Sequence, residues 1–187
     1  TPLQLAVMTA RLVNGGKAVR PSLIRQVISQ SEDISQSSTA REFNNIGIHP
    51  TYLDVMTKAM SAATNSPLGT AFKARINNRN YSMGGKTGTV QVRRISKAER
   101  ETRVLKNEEL DWHKRDHALF VGFAPVYAPR YAVSIVVEHG GSGSSVAAPI
   151  ARDVLIEAQR REPLLNTNDG KANRALNEGS VPGEVTS

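Results

Sequence analysis

Two strand-like runs in the second half of the chain set the tightest constraint on its fold. His117 to Phe123 and Tyr131 to Val137 are rich in aromatic and β-branched residues, with only the Ala124-Pro125 to Ala128-Pro129 turn between them. Parallel neighbours need a crossover of a dozen or more residues, so a turn this short makes the two runs antiparallel. Upstream, Gly84-Gly85-Lys86-Thr87-Gly88-Thr89 runs into Val90-Gln91-Val92 and reads as a third extended segment. Helical periodicity flanks the three. After a Thr1-Pro2 entry, Leu3, Leu5, Ala6, Met8, Thr9, Leu12 and Val13 recur at helical spacing and stop at Asn14-Gly15-Gly16. Pro50-Thr51 opens a second helix, with Leu53, Val55, Met56, Ala59, Met60 and Ala63 as its apolar positions. Val146 to about Arg160 makes a last one, with Val146, Ile150, Val154 and Ile156 expected inward. Helices before and after turn-linked strands predict an α+β fold, an antiparallel sheet packed by helices.

The remaining segments read as connections. Val19 to Ile28 is expected to be extended, Ser29 to Asn45 a polar surface loop, and Asn65 to Ala71 a turn leading to a short helix. Asn77 to Asn80 is another turn, and Gly140 to Ser145 a flexible loop. From Arg93 to Asp116, eight Lys/Arg stand against six Asp/Glu, a net of +2 (8 − 6), which marks a mixed solvated excursion rather than a basic patch. Residues 1–163 are expected to form one folded unit, and the polar Leu164 to Ser187 stretch a disordered tail. The opening at Thr1-Pro2, without an initiator methionine, reads as the start of a fragment.

Charge and composition exclude some classes and leave others open. A net charge of +7 points softly to acidic partners, so a non-catalytic basic module for anionic polymers or nucleic acid is the alternative to an enzyme. Only nine Phe, Trp or Tyr are spread along the chain (4 + 1 + 4), with no aromatic-interleaved basic stripe, so nucleic acid is not the expected partner. The absence of cysteine excludes disulfides and thiolate metal sites. No apolar run approaches the ~20 residues of a membrane helix.

The glycine-lysine element carries the chemistry. Gly85-Lys86-Thr87 suggests a phosphate loop, but the pattern needs glycine where Asn80 stands and a helix where Thr89-Val90-Gln91-Val92 favours a strand. His113 and His117 are spaced i, i+4, yet Lys114 occupies the place of a metalloprotease glutamate, and His49 and His139 lie far off. No metal or cofactor is expected. No serine begins Ser-x-x-Lys, Ser-x-Asn or the centre of Gly-x-Ser-x-Gly; Thr70-Ala71-Phe72-Lys73 is the nearest approach and reads as a helix surface.

Lys86-Thr87-Gly88-Thr89 resembles the Lys-Thr-Gly element of penicillin-binding proteins and serine β-lactamases. Four further segments keep the family's order and spacing. Thr1 to Ala6, ending in Asn14-Gly15-Gly16, resembles the helix after the middle motif of their transpeptidase domains. Arg115-Asp116-His117-Ala118-Leu119-Phe120, leading to Phe123-Ala124-Pro125, resembles the next strand. Glu138-His139-Gly140-Gly141 and Ala147-Ala148-Pro149-Ile150-Ala151 resemble the last strand's exit and the closing helix. From Thr1 to about Arg160 the chain is similar to penicillin-binding protein 2, the class B elongation type. The Thr1–Asn14 helix and the Arg115–Pro125 segment favour this over a carboxypeptidase or β-lactamase.

The resemblance implies a partial penicillin-binding-protein fold and a serine-type peptidoglycan D,D-transpeptidase, acting on stem peptides and acylated by β-lactams. It implies the periplasmic face of the inner membrane, with the elongation machinery as partner and the anchor outside this chain. Lys86 would bind the donor's carboxylate and help relay a proton, the Thr87 and Thr89 hydroxyls would bind the same carboxylate, and Gly88 would keep the wall flat. The Thr89 backbone N–H would be an oxyanion donor. The family's serine, its lysine and the Ser-x-Asn lie upstream of the Thr1 helix, so the missing upstream part of the domain is an expected partner and the chain alone is expected to be inactive. Arg93 to Asp116, with Trp112, either roofs the cleft or is a plain insertion.

Overall fold

Residues 1–23 and 45–161 are described by the structure, a computed structural model. Most of the expected extended run beyond Leu23, nearly all of the serine-rich loop and the expected tail lie outside those residues, and Lys17 to Leu23 form no regular element.

Helix α1 (Pro2–Val13) starts where its capping chemistry says it should. The Gln4 N–H donates to Thr1 Oγ1 at 3.3 Å, the Thr1 amine donates in return to Gln4 Oε1 at 2.8 Å, and Pro2 occupies the first turn. It ends at Gly15 and Gly16, whose φ angles of 80° and 84° suit residues without a Cβ. Helix α2 (Pro50–Asn65) is capped by His49, whose Nδ1 accepts the Thr51 N–H at 3.3 Å. Single 3-10 turns follow at Phe72–Ala74 and Arg79–Tyr81.

The sheet contains β1 (Gly84–Val90), β2 (His117–Ala124) and β3 (Tyr131–Val137) in the order β1-β2-β3, both pairings antiparallel. Lys86 stands opposite Val121 and Phe120 opposite Ile135. On one face, Ala118 and Phe120 pack with Met83, Ala148, Ala151 and Leu155 in the main core. Burial of each large side chain there contributes about 1.5–3 kcal/mol. Helices α1 and α2 lie against the other face, α1 along β2 and β3 and α2 along β1. The connection from β1 to β2 holds a short helix, α3 (Lys97–Thr102), and two 3-10 turns at Asn107–Glu109 and Trp112–Lys114.

Three expectations need correction. The Gly140–Ser145 loop is shorter than expected, because Gly143–Ala147 forms a π-helical turn that leads into α4 (Ala148–Arg161). The helix turns its small residues to the sheet, so Ala148, Ala151, Leu155 and Gln159 are buried at helical spacing while Ile150 and Val154, expected inward, stand 42% and 47% exposed. Likewise, α1 buries only Thr9 fully and α2 only Leu53 and Thr64, leaving Leu3, Met8, Val55 and Met56 exposed.

Candidate active site

The Lys86–Thr89 segment is the centre of an edge strand with no strand beyond it among the described residues. Its position follows from the glycines before it. A Cβ on Gly84 would strike the Phe123 ring, and one on Gly85 the Phe120 ring and the Val121 carbonyl, so only glycines let β1 lie this close to β2. Met83, just before, is fully buried, and its carbonyl accepts from the Thr64 hydroxyl at 2.6 Å and from Asn65 Nδ2 at 2.9 Å. The end of α2 therefore holds the start of β1.

Alternation along the strand separates the site residues. Gly85 faces the Phe120 side, so Thr87 and Thr89 share that face, whereas Lys86 faces the α1/α2 side. There it borders an open cavity of about 680 Å³ between the two helices, lined by Met8, Leu12, Met56, Met60 and Leu68 among others. Lys86 is the single charged residue in that lining. Its Nζ donates to the Thr87 carbonyl at 2.7 Å.

The Thr87 hydroxyl donates to Thr70 Oγ1 at 3.3 Å. The turn after α2 folds back on the helix: the Ala71 N–H donates to the Ala63 carbonyl at 2.9 Å, and Gly69 sits so close to the Ala62 and Ala63 carbonyls that no Cβ fits. That return places Thr70 beside β1. It lies in a tight turn next to the site, where a helix surface was expected, and Lys73 is exposed. Gly88, opposite Leu119, is backed by Gly143, where a Cβ would strike the Gly88 and Leu119 carbonyls.

Beyond Thr89 the β1–β2 connection encloses about 200 Å³, lined in part by Thr89, Gln91, Arg93, Asn107 and Asp116. Arg93 binds both oxygens of Glu99, and the Leu105 N–H donates to the same carboxylate at 3.3 Å. The hydrogen bond from Arg93 is the main reason the Glu99 carboxyl falls from 4.5 to about 2. Ser96 caps α3 by accepting the Glu99 N–H at 3.2 Å. This excursion is thus locally ordered by its own charges.

His117 and His139, distant in sequence, come together at the end of β2 and β3 with Trp112 beside them. His139 has φ 55°, a left-handed conformation that costs a non-glycine residue about 1–2 kcal/mol. Among the described residues no group of three or more His, Asp or Glu side chains could hold a metal ion, and no helix is long and apolar enough to cross a membrane.

Comparison with known proteins gives the geometry a family. The penicillin binding protein transpeptidase domain matches residues 1–156. The peptidoglycan D,D-transpeptidase MrdA of Acinetobacter baumannii is 30% identical over 190 aligned residues, covering 100% of this chain and 27% of that protein. The Pseudomonas aeruginosa PBP2, solved in complex with WCK 5153, is 34% identical with a TM-score of 0.62, covering 85% of this chain and 30% of that one. Penicillin-binding protein A of M. tuberculosis, solved as an imipenem acyl-enzyme complex, is 26% identical with a TM-score of 0.55, covering 85% of this chain and 30% of its own. The chain thus spans about a quarter of the length of the curated relatives it matches. Its antiparallel sheet packed by helices is the α+β fold of a transpeptidase domain, and the chain belongs to the penicillin-binding protein transpeptidase family.

Proposed function

We propose that the chain supplies one wall of the cleft of a serine-type peptidoglycan D,D-transpeptidase of cell-wall elongation, and that the nucleophile comes from outside it. One observation carries the reading. Lys86 is the single charge on the lining of an open apolar cavity, on an edge strand, in a sequence that contains no Ser-x-x-Lys. The cavity suits an apolar helix from the upstream part of the same domain, which would bring serine and lysine against β1.

Within that cleft Lys86 binds the donor peptide's terminal carboxylate, exchanging its bond to the neutral Thr87 carbonyl for a charge-assisted one. From the other face of the same strand the Thr87 and Thr89 hydroxyls reach that group around the open edge, Thr87 by turning its one proton from Thr70 to the carboxylate while the Thr70 hydroxyl donates to Thr87 in return. An edge strand leaves alternate backbone groups free, so an extended stem peptide can lie along β1. The serine oxygen adds to the penultimate D-Ala carbonyl while a lysine takes its proton. The departing D-Ala amine leaves with a proton, and an acceptor amine then takes the acyl group. The Thr89 N–H stabilises the developing oxyanion, and losing one such donor costs about a hundredfold or more. Lys86 helps relay the proton. β-Lactams acylate the same serine, a step supported by the acyl-enzyme form of the M. tuberculosis relative. The enzyme works at the periplasmic face of the inner membrane with the elongation machinery.

Intact-mass measurement tests the division of labour. The isolated chain incubated with penicillin is expected to form no covalent adduct, while the longer protein containing it gains one acyl group on a serine outside this sequence. A stoichiometric adduct on the isolated chain overturns the proposal, and a longer protein that stays unmodified overturns the transpeptidase reading.

A further inference from the structure

Three segments far apart in sequence are joined behind the Gly88–Thr89 backbone, and two histidines make the joint. His117 opens β2, and His139 follows β3. The His139 backbone N–H donates to His117 Nδ1 at 2.9 Å. A backbone amide can only donate, so His117 Nδ1 carries a lone pair and the ring's proton sits on Nε2. His139 Nδ1 lies 2.9 Å from the Arg115 carbonyl, which can only accept, so this nitrogen carries its proton. The two rings meet edge-on at 4.7 Å, and Trp112 approaches the His139 ring at 4.6 Å.

The bonds continue toward the wall. The Gly141 N–H donates to the Asp116 carbonyl at 2.8 Å, and two residues later Gly143 rests on the Gly88 backbone. His139 is the one non-glycine residue with positive φ among those described. A strained conformation of this kind persists where surrounding contacts over-determine it, and here those contacts are the His117 lone pair, the Arg115 carbonyl and the Trp112 ring.

We propose that His117 and His139 are positioning residues for the Gly88–Thr89 wall, a role that rests on the transpeptidase reading of that wall. The His117 lone pair captures the His139 amide and fixes the left-handed residue. That residue aims the following glycines so that Gly143 buttresses Gly88, while Trp112 ties the β1–β2 connection to the same point. The wall's backbone donors must be held to a fraction of an ångström to serve a transition state, and this joint supplies the constraint.

The test uses the longer protein that contains this chain. His117→Asn keeps an acceptor close to the place of Nδ1, and His117→Leu fills the space without one. Two readouts are taken: the second-order rate of acylation by a fluorescent penicillin, and hydrogen exchange of the peptide spanning Gly84 to Val92. His117→Leu is expected to lower the rate about tenfold or more and to speed exchange, with His117→Asn within about threefold of the parent in both. Unchanged rate and exchange in His117→Leu overturn the proposal. So do a slower rate with unchanged exchange, and a His117→Asn protein as impaired as His117→Leu. If the parent is not acylated at all, the transpeptidase reading falls and exchange alone decides the positioning role. Should His117→Leu fail to fold, His117→Gln, whose amide reaches past the Nδ1 position, replaces it with the same expected results.

Discussion

Gly84 and Gly85 decide how close the site strand comes to its neighbour, because the rings of Phe123 and Phe120 occupy the space their side chains would take. Gly85→Ala must therefore move β1 or the Phe120 ring. It is expected to destabilise the protein by about 1–3 kcal/mol, read from urea unfolding at constant m-value. Stability equal to the parent's would mean that the strand gives way without cost. Lys86, Thr87, Gly88 and Thr89 were legible as candidate residues because their pattern is local and lies on an extended backbone. Thr70 was not. Its contact with Thr87 depends on a turn folding back onto α2, and the Thr70–Lys73 spacing pointed elsewhere. The His117–His139 pair escaped for the same reason, since backbone register and a loop conformation bring it together rather than any spacing.

At the scale of elements, the β1–β2 connection is held by the Arg93–Glu99 pair, whose side chains are only 20% and 17% exposed. The carboxyl of Glu99 is lower in the folded protein than its ordinary 4.5, at about 2. Its contribution to stability is therefore full above the unfolded value and lost as pH falls toward the folded one. Glu99→Gln is expected to lower the midpoint of thermal unfolding by a constant amount between pH 8 and 5. That difference should shrink as pH drops below about 4.5. A difference that grows on acidification contradicts the assignment. Helix α4 shows where periodicity misleads. The existence of the helix was legible, but its inward face is the stripe of Ala151, Leu155 and Gln159, where small alanines let the helix close on the sheet, and this leaves Ile150 and Val154 outside. Leu155→Ala is expected to cost about 2–5 kcal/mol, against about 0.5 kcal/mol for Ile150→Ala, compared by denaturant unfolding. Strand β3 matched its expected span because its β-branched run is a local signal.

Across the whole molecule, the two faces of the sheet are unequally covered. One is closed by α4 over a buried core, while the other opens between α1 and α2, where methionines and leucines line the gap. The isolated chain is expected to enhance the emission of the apolar dye ANS in native buffer, and replacing Met56 and Met60 together by Gln should reduce that signal. A folded chain that leaves the dye dark would mean the cavity closes on itself. Sequence patterns specified an antiparallel sheet packed by helices, since turn lengths and periodicity are local. They were silent on this asymmetry, which arises from how helices far apart in sequence splay over the strands. The β1–β2 connection adds a different kind of freedom. Joining antiparallel neighbours takes two residues at minimum, yet this hairpin carries a folded excursion from Gln91 to Asp116, and lengthening such a loop costs only about 0.6 kcal/mol per doubling. Its length is nearly independent of the strands' register. Residues can thus be added to or removed from this connection at little cost, while the strand pairing beneath it keeps its geometry.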